Sequence, residues 1–215
     1  MNACIEILQG SRLGAIRRRG EVYRSPAVDV PLVRLRPGAY ASADAWGAAR
    51  PEDRVVARAR ALRLTAAESP VFSHETAAAI HGLPLYRPDP DRVHISLDDA
   101  RPGAAHGTVR HRSQLRDDEV VEVDGLRCTS LIRTVADVAR TATFERAVVV
   151  ADAALRVVAG RVRQGYDEDS AADFVGECGM IAERSAHGRA RGAISPLRRR
   201  PCSAARREHQ SHKAA

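Results

Sequence analysis

Two histidines seven residues apart, His74 and His81, would lie two turns from each other on one helix face. Imidazole pairs on a helix hold zinc at i, i+4 spacing, and no glutamate joins these two as in H-E-x-x-H, so they read as helix-face packing. His94, His106 and His111 would converge if the strands carrying the first and last paired. His106 falls in the intervening loop, however, and no carboxylate has ligand spacing. Asp98-Asp99 at a strand end could hold a cation but reads as a solvated loop, and Asp117-Asp118-Glu119 as a solvated turn. The four cysteines, Cys4, Cys128, Cys178 and Cys202, are scattered without a C-x-x-C, which argues against a zinc site and a disulfide framework. G-x-S-x-G, a Walker loop and G-x-G-x-x-G are absent, and no cysteine has a local base. The sequence therefore leads to no catalytic residue, no metal site and no cofactor: a non-enzyme.

Arg133, Thr134 and Asp137 form a different kind of cluster. Arg133 and Asp137 stand at i, i+4 on one helix, where a guanidinium and a carboxylate meet. If the next helix folds back, Asp152 would reach the same guanidinium and lock the two helices together. That is a structural role.

The net charge of +7 points to nucleic acid, but its distribution is uneven. Residues 196–215 hold six basic residues against Glu208 alone, a net of +5, which leaves +2 for the rest. Lys213 is the single lysine among 34 basic residues, so arginine abundance is itself weak support for phosphate binding. No charged-then-apolar leader and no apolar run of membrane-span length are present, so the expectation is a cytoplasmic protein with no membrane partner.

The positioning elements follow from periodicity. Ser11–Arg19 reads as a short amphipathic helix stopped by Gly20. Glu21–Arg24 and Leu32–Arg36 read as extended pieces either side of a Pro26/Pro31 turn, and Pro37-Gly38 leads to Ala39-Tyr40. Pro51 opens a helix to about Thr65, and Ser73 caps His74–His81, which Gly82 closes. Val93–Leu97 and Thr108–Arg112 read as partner strands across a Gly/Pro loop. Asp124-Gly125 joins Val120–Val123 to Leu126–Cys128 as a hairpin. Helices follow from Ser130 to Arg140 and from Phe144 to about Val158, then a weaker pair, Asp169–Cys178 and Met180–Ile194. The fold class is α+β. A degenerate winged-helix-like segment (1–45) precedes a mixed α/β core with antiparallel hairpins and a helical hairpin (50–165). A helical extension (166–195) and a disordered basic tail (196–215) follow.

The run Val71-Phe72-Ser73-His74-Glu75-Thr76-Ala77-Ala78-Ala79-Ile80-His81-Gly82-Leu83-Pro84-Leu85 resembles the helix-plus-GLP segment of AbiEi-like proteins of high-GC bacteria, as does the strand Arg92-Val93-His94-Ile95. Val123 to Ala139, with Thr129-Ser130, Arg133-Thr134 and Asp137, is similar to that family's hairpin and TS-x-x-RT-x-x-D helix. Phe144 to Arg156, with Asp152-Ala153-Ala154-Leu155, is similar to its ADAAL helix. The resemblance covers about residues 32–195. It implies a type IV antitoxin that pairs a winged-helix segment binding its own promoter DNA with a domain opposing a nucleotidyltransferase-like toxin. Ser73, His74, Gly82, Arg133, Thr134, Asp137 and Asp152 would be its structural motif. Carried onto this chain, the DNA-reading helix would be Ser11–Arg19, with Arg12, Arg17, Arg18 and Arg19, and the wing Leu32–Tyr40, with Arg34 and Arg36. Too few residues precede that helix for its two supporting helices.

Many actinobacterial relatives continue into a Vsr-like endonuclease that opens with FADxRxxxPGESxSR. Here the similarity stops after Gly188-Arg189-Ala190-Arg191. Read one nucleotide later, codons for Leu197 to Lys213 can encode F-A-D-G-R-A-x-x-P-G-E-S-I-S-R-T-R. A frameshift near Ser195 would therefore have replaced the nuclease with the tail. The alternatives to an antitoxin-like regulator are an inactive remnant of the nuclease-fused branch and a protein–protein interaction module.

Overall fold

The computed structural model describes residues 5–98, 101–161 and 165–184. The tail from 196, its expected disorder and the expected second half of the last helix beyond 184 lie outside these residues, as does Asp99.

Two sheets share one helix. The N-terminal sheet holds β1 (Leu8–Gln9), β2 (Arg17–Arg19), β3 (Val22–Ser25), β4 (Val28–Arg36) and β5 (Ala39–Ser42). Its order is β1-β5-β4-β3-β2, antiparallel throughout. Helices α1 (Ala43–Ala48) and α2 (Pro51–Thr65) pack on β4 and β5.

The expected helix Ser11–Arg19 is not formed. A 3-10 turn spans Gly10–Arg12, and the chain then bends at Gly14 (φ 63°) and enters β2. A left-handed residue interrupts any right-handed helix. Leu13 and Ile16 instead pack with Leu32, Tyr40 and Tyr23 on the outer face of the sheet, and Gly20 (φ 61°) turns β2 into β3 instead of ending a helix. Among the described residues before Ala43 there is no α-helix. The extended pieces expected over Leu32–Tyr40 form the β4–β5 hairpin, turned at Gly38 (φ 81°). Pro31 lies inside β4, where the register slips between Tyr23 and Ser25 of β3 and no ladder N–H is required.

Pro51 starts α2. One side of it presents Ala57 and Ala61 to Leu35, Ala39 and Ala41 of the first sheet. Ala59 and Leu62 meet the second sheet, and Val55 the helices beyond. Small residues let both sheets approach the same helix.

The second sheet runs β10-β11-β6-β7-β9-β8. Its strands are β6 (Val71–Phe72), β7 (Val93–Leu97), β8 (Gly103–Ala105), β9 (Thr108–Arg112), β10 (Val120–Val123) and β11 (Leu126–Thr129). Val93–Leu97 and Thr108–Arg112 do pair, in parallel, because β8 makes the return as an antiparallel hairpin with β9. The β11–β6 pair is also parallel. Asp124 (φ 50°) and Gly125 (φ 75°) form the expected two-residue turn of an antiparallel hairpin.

Helix α3 (His74–Ile80) ends at Gly82 (φ 76°). Helices α4 (Leu131–Thr141) and α5 (Phe144–Ala159) form the expected helical hairpin, and Ser130 Oγ accepts from the Arg133 N–H at the start of α4. A short pair, β12 (Gly160–Arg161) with β13 (Gly165–Tyr166), leads to α6 (Glu168–Arg184). The helical break expected after Cys178 is absent, and α6 passes through Gly179. Phe174 and Cys178 of this helix bury against Val135, Val138, Val150 and Ala154, contacts that outweigh the poor helix propensity of glycine. No described helix is long and apolar enough to cross a membrane.

Candidate functional site

The arginines of the N-terminal sheet do not share one environment. Arg17 faces Arg24 across the β2–β3 ladder, and Arg18 faces Tyr23. Arg12, Arg17, Arg18, Arg24 and Arg34 are all exposed. Arg18 Nε donates to the Gly20 carbonyl (3.0 Å), and the Arg34 guanidinium lies 5.6 Å from the Tyr23 ring centroid. Tyr23 in turn meets Tyr40 edge-on at 5.5 Å. None of the five arginines forms an ion pair with a described carboxylate. Arg36 departs from the set: it is half-buried, and burial and the neighbouring Arg58 push its guanidinium below the ordinary value. Arg19 belongs to β2. Over residues 5–42 seven arginines face three acids, a local +4. In place of the expected helix Ser11–Arg19, the structure has an arginine-bearing hairpin, β2–β3, at the edge of the five-stranded sheet.

Arg133 is the largest fully buried side chain among the described residues. Its Nε donates to Asp137 Oδ2 (2.9 Å), Nη1 to Glu119 Oε2 (3.0 Å), and Nη2 to Ser113 Oγ. Glu119 also accepts from Arg184 of α6 and, at 3.0 Å, from the Arg116 N–H. Burial alone would raise Glu119, but the Arg116 N–H with Arg133 and Arg184 brings it below the ordinary carboxylate value. Burial pushes the Asp137 carboxyl up, against the pull of Arg133 and Arg140. Asp152 is not in this network. It stands on the solvent side of α5, 57% exposed, paired with Arg156 at 2.7 Å. The expected second carboxylate is instead Glu119, which the sequence suggested was a solvated turn and which is 4% exposed. The only trace of this in sequence is its place next to the apolar pair Val120-Val121. Thr134 Oγ1, next to Arg133, bonds Thr129 Oγ1 (2.6 Å) and the Thr129 carbonyl (3.0 Å).

The histidines regroup as well. His94 Nδ1 and His111 Nε2 lie 2.9 Å apart across the parallel β7–β9 pair, as the convergence argument required. The third member is His74, not His106. His106 is exposed in the β8–β9 turn (φ 49°), whereas the His74 ring stacks on His111 with centroids 3.6 Å apart. Ser73 was expected to cap α3, but its Oγ is engaged with His74 Nδ1 (3.0 Å) and makes no cap bond. Burial first, then the other two rings, holds His74 well below the ordinary histidine value. Burial lowers His94 to about 4, with His111 adding to it, and His111 itself to about 4. All three are neutral near pH 7. His81 packs separately at the C-terminal end of α3, with Nε2 2.8 Å from the Thr129 carbonyl. Asp98 lines a cleft of about 540 Å³ with Ser96, Leu97 and Arg116.

No family model, no curated protein and no solved structure matches this chain.

Proposed function

We propose that the chain is a non-catalytic regulator of the AbiEi-like antitoxin kind, binding duplex DNA through its N-terminal sheet and opposing a nucleotidyltransferase-type toxin. The observation that carries the DNA part is the clustering on one sheet of five exposed arginines, Arg12, Arg17, Arg18, Arg24 and Arg34, that have no ion pair with a described carboxylate. Some arginines of the body, such as Arg58, Arg133, Arg146 and Arg184, are bound to carboxylates, while others, such as Arg63, Arg110, Arg112 and Arg127, are exposed without an ion pair among the described residues, so it is the clustering on one sheet that supports the reading. An exposed guanidinium with no carboxylate partner is available to phosphate, and the β2–β3 hairpin at the edge of the five-stranded sheet is the part that would meet the groove. The mode is then contact through the edge hairpin of a sheet in place of helix-in-groove readout. The toxin part rests on the resemblance of the Thr129–Asp137 and Phe144–Arg156 segments.

The test is fluorescence anisotropy with a duplex from upstream of the chain's own gene, titrated with salt. Five phosphate contacts give a log–log salt slope of about −4.5. Binding that shows no preference for this duplex over an unrelated one would remove the regulator reading. Co-purification with the product of a neighbouring gene tests the toxin part.

A further inference from the structure

We propose that His74, His94 and His111 form a binding site for one divalent transition-metal ion, zinc foremost, with the fourth coordination position left to water. The three come from separate elements, the start of α3, β7 and β9, and their ligand nitrogens all lie within 4.8 Å of one another. Tetrahedral Zn–N bonds place ligand atoms about 3.4 Å apart, so to close the site the His74 ring turns out of its stack on His111 until the in-plane lone pairs converge. His94 Nδ1 and His111 Nε2 already point at each other at 2.9 Å. Entry of the ion replaces that hydrogen bond with two coordinate bonds, and the bridging proton moves to the other nitrogen of the ring that held it.

Three further features favour a ligand over mere packing. Ser73 Oγ engages His74 Nδ1, the outer-shell contact that leaves Nε2 of a metal-binding imidazole free. The buried His74 also holds φ at 53°, a left-handed backbone that only strong local contacts maintain in a side chain of this size. Ser96 is the ladder partner of His111, two residues from His94 on the same face, and its Oγ is buried without a hydrogen-bond partner. A metal-bound water on this face would supply one. All-nitrogen donors with no carboxylate select zinc, nickel, cobalt or copper over magnesium and calcium.

Isothermal titration of the metal-free full chain with zinc should give one tight site, and zinc should raise the thermal midpoint in a concentration-dependent way. Cobalt in its place should give the visible d–d bands of a nitrogen-rich tetrahedral site. His94→Gln and His111→Gln should each weaken zinc by more than the roughly 10–100-fold that loss of an outer-shell partner costs. His106→Gln should bind as the native chain does, and so should a variant with His187, Cys202, His209 and His212 changed to alanine. The native chain's cobalt spectrum and midpoint shift stand whether or not the site variants fold. A native chain with no zinc-dependent shift and no cobalt bands overturns the proposal. So does zinc binding that survives His94→Gln/His111→Gln or disappears with the four C-terminal substitutions.

Discussion

Arg133 Nη1 lies 3.0 Å from Glu119 Oε2 in a pair where each side chain is at most 5% exposed. Through it the turn before β10 is tied to α4, and through the second bond of Glu119, to Arg184 of α6. Replacing Arg133 with methionine leaves Glu119 and Asp137 buried without their shared cation, which should destabilise the chain by about 3–5 kcal/mol. Asp152→Ala breaks only an exposed pair and should change stability by less than about 0.5 kcal/mol. Urea denaturation of the two variants checks the contrast. A larger loss at Asp152 would restore the helix-to-helix lock that the sequence suggested.

That exchange of Asp152 for Glu119 marks the limit of local pattern. The Asp124-Gly125 hairpin, the Pro51 helix start and the α4–α5 hairpin were legible because each depends on turn chemistry or an apolar period within one element. Arg133 and Asp137 were legible as partners because they lie on one helix. Glu119 was not, since its burial arises only when the segment between β9 and β10 folds under α4. The N-terminal stretch differs from its helical expectation because Leu13 and Ile16 have helical spacing, while the strands that bury them come later in the chain. The histidine cluster was half legible: the parallel pairing supplies His94 and His111, but His74 arrives through a left-handed turn that periodicity does not encode.

Acid should weaken the metal-free chain in a defined window. Values of about 4 for His94 and His111 lie below the ordinary 6.5, and burial holds His74 well below it too, so the unfolded chain binds more protons across this interval. The stabilisation from neutral rings is complete above about pH 6.5 and is lost as pH falls toward 4. Positive neighbours act in the same direction: Arg133 and Arg140 on His74, Arg92 and Arg146 on His94, with only Asp89 opposing. The expected loss between about pH 7 and about pH 5 is of order 1–3 kcal/mol, reduced by the partial exposure of His111. Urea midpoints measured in chelator should fall over that range in the native chain and much less in His94→Gln/His111→Gln.

Burial pushes the Cys128 thiol up to about 11 and the Cys178 thiol to about 12. Both side chains are fully buried, so near pH 8 neither should react with iodoacetamide until the chain is unfolded. Site-resolved mass spectrometry reads this directly. Rapid labelling of Cys128 in the folded chain would mean that His81, 3.9 Å from its sulfur, activates the thiol.

Gly107 and Gly125 share a φ of 75°, yet they differ in surroundings. A Cβ on Gly107 would stand 2.7 Å from the Asp91 carbonyl oxygen, whereas one on Gly125 meets nothing within 4 Å. Alanine at Gly125 should cost about 1–2 kcal/mol for the left-handed backbone alone. Alanine at Gly107 should cost more, because rigid backbone must shift. Equal losses in thermal unfolding would mean that the β8–β9 turn yields freely around Asp91.

The most direct measurement on the central claim separates the two basic regions of the chain. Anisotropy with the upstream duplex should compare the native chain with two variants, one with Arg17, Arg18, Arg24 and Arg34 changed to alanine, the other with Arg198, Arg199, Arg200, Arg206 and Arg207 changed. The account predicts that the sheet variant loses preference for the upstream duplex while the tail variant keeps it, with a weaker salt-dependent background. Preference that survives in the sheet variant and vanishes with the tail arginines would contradict it.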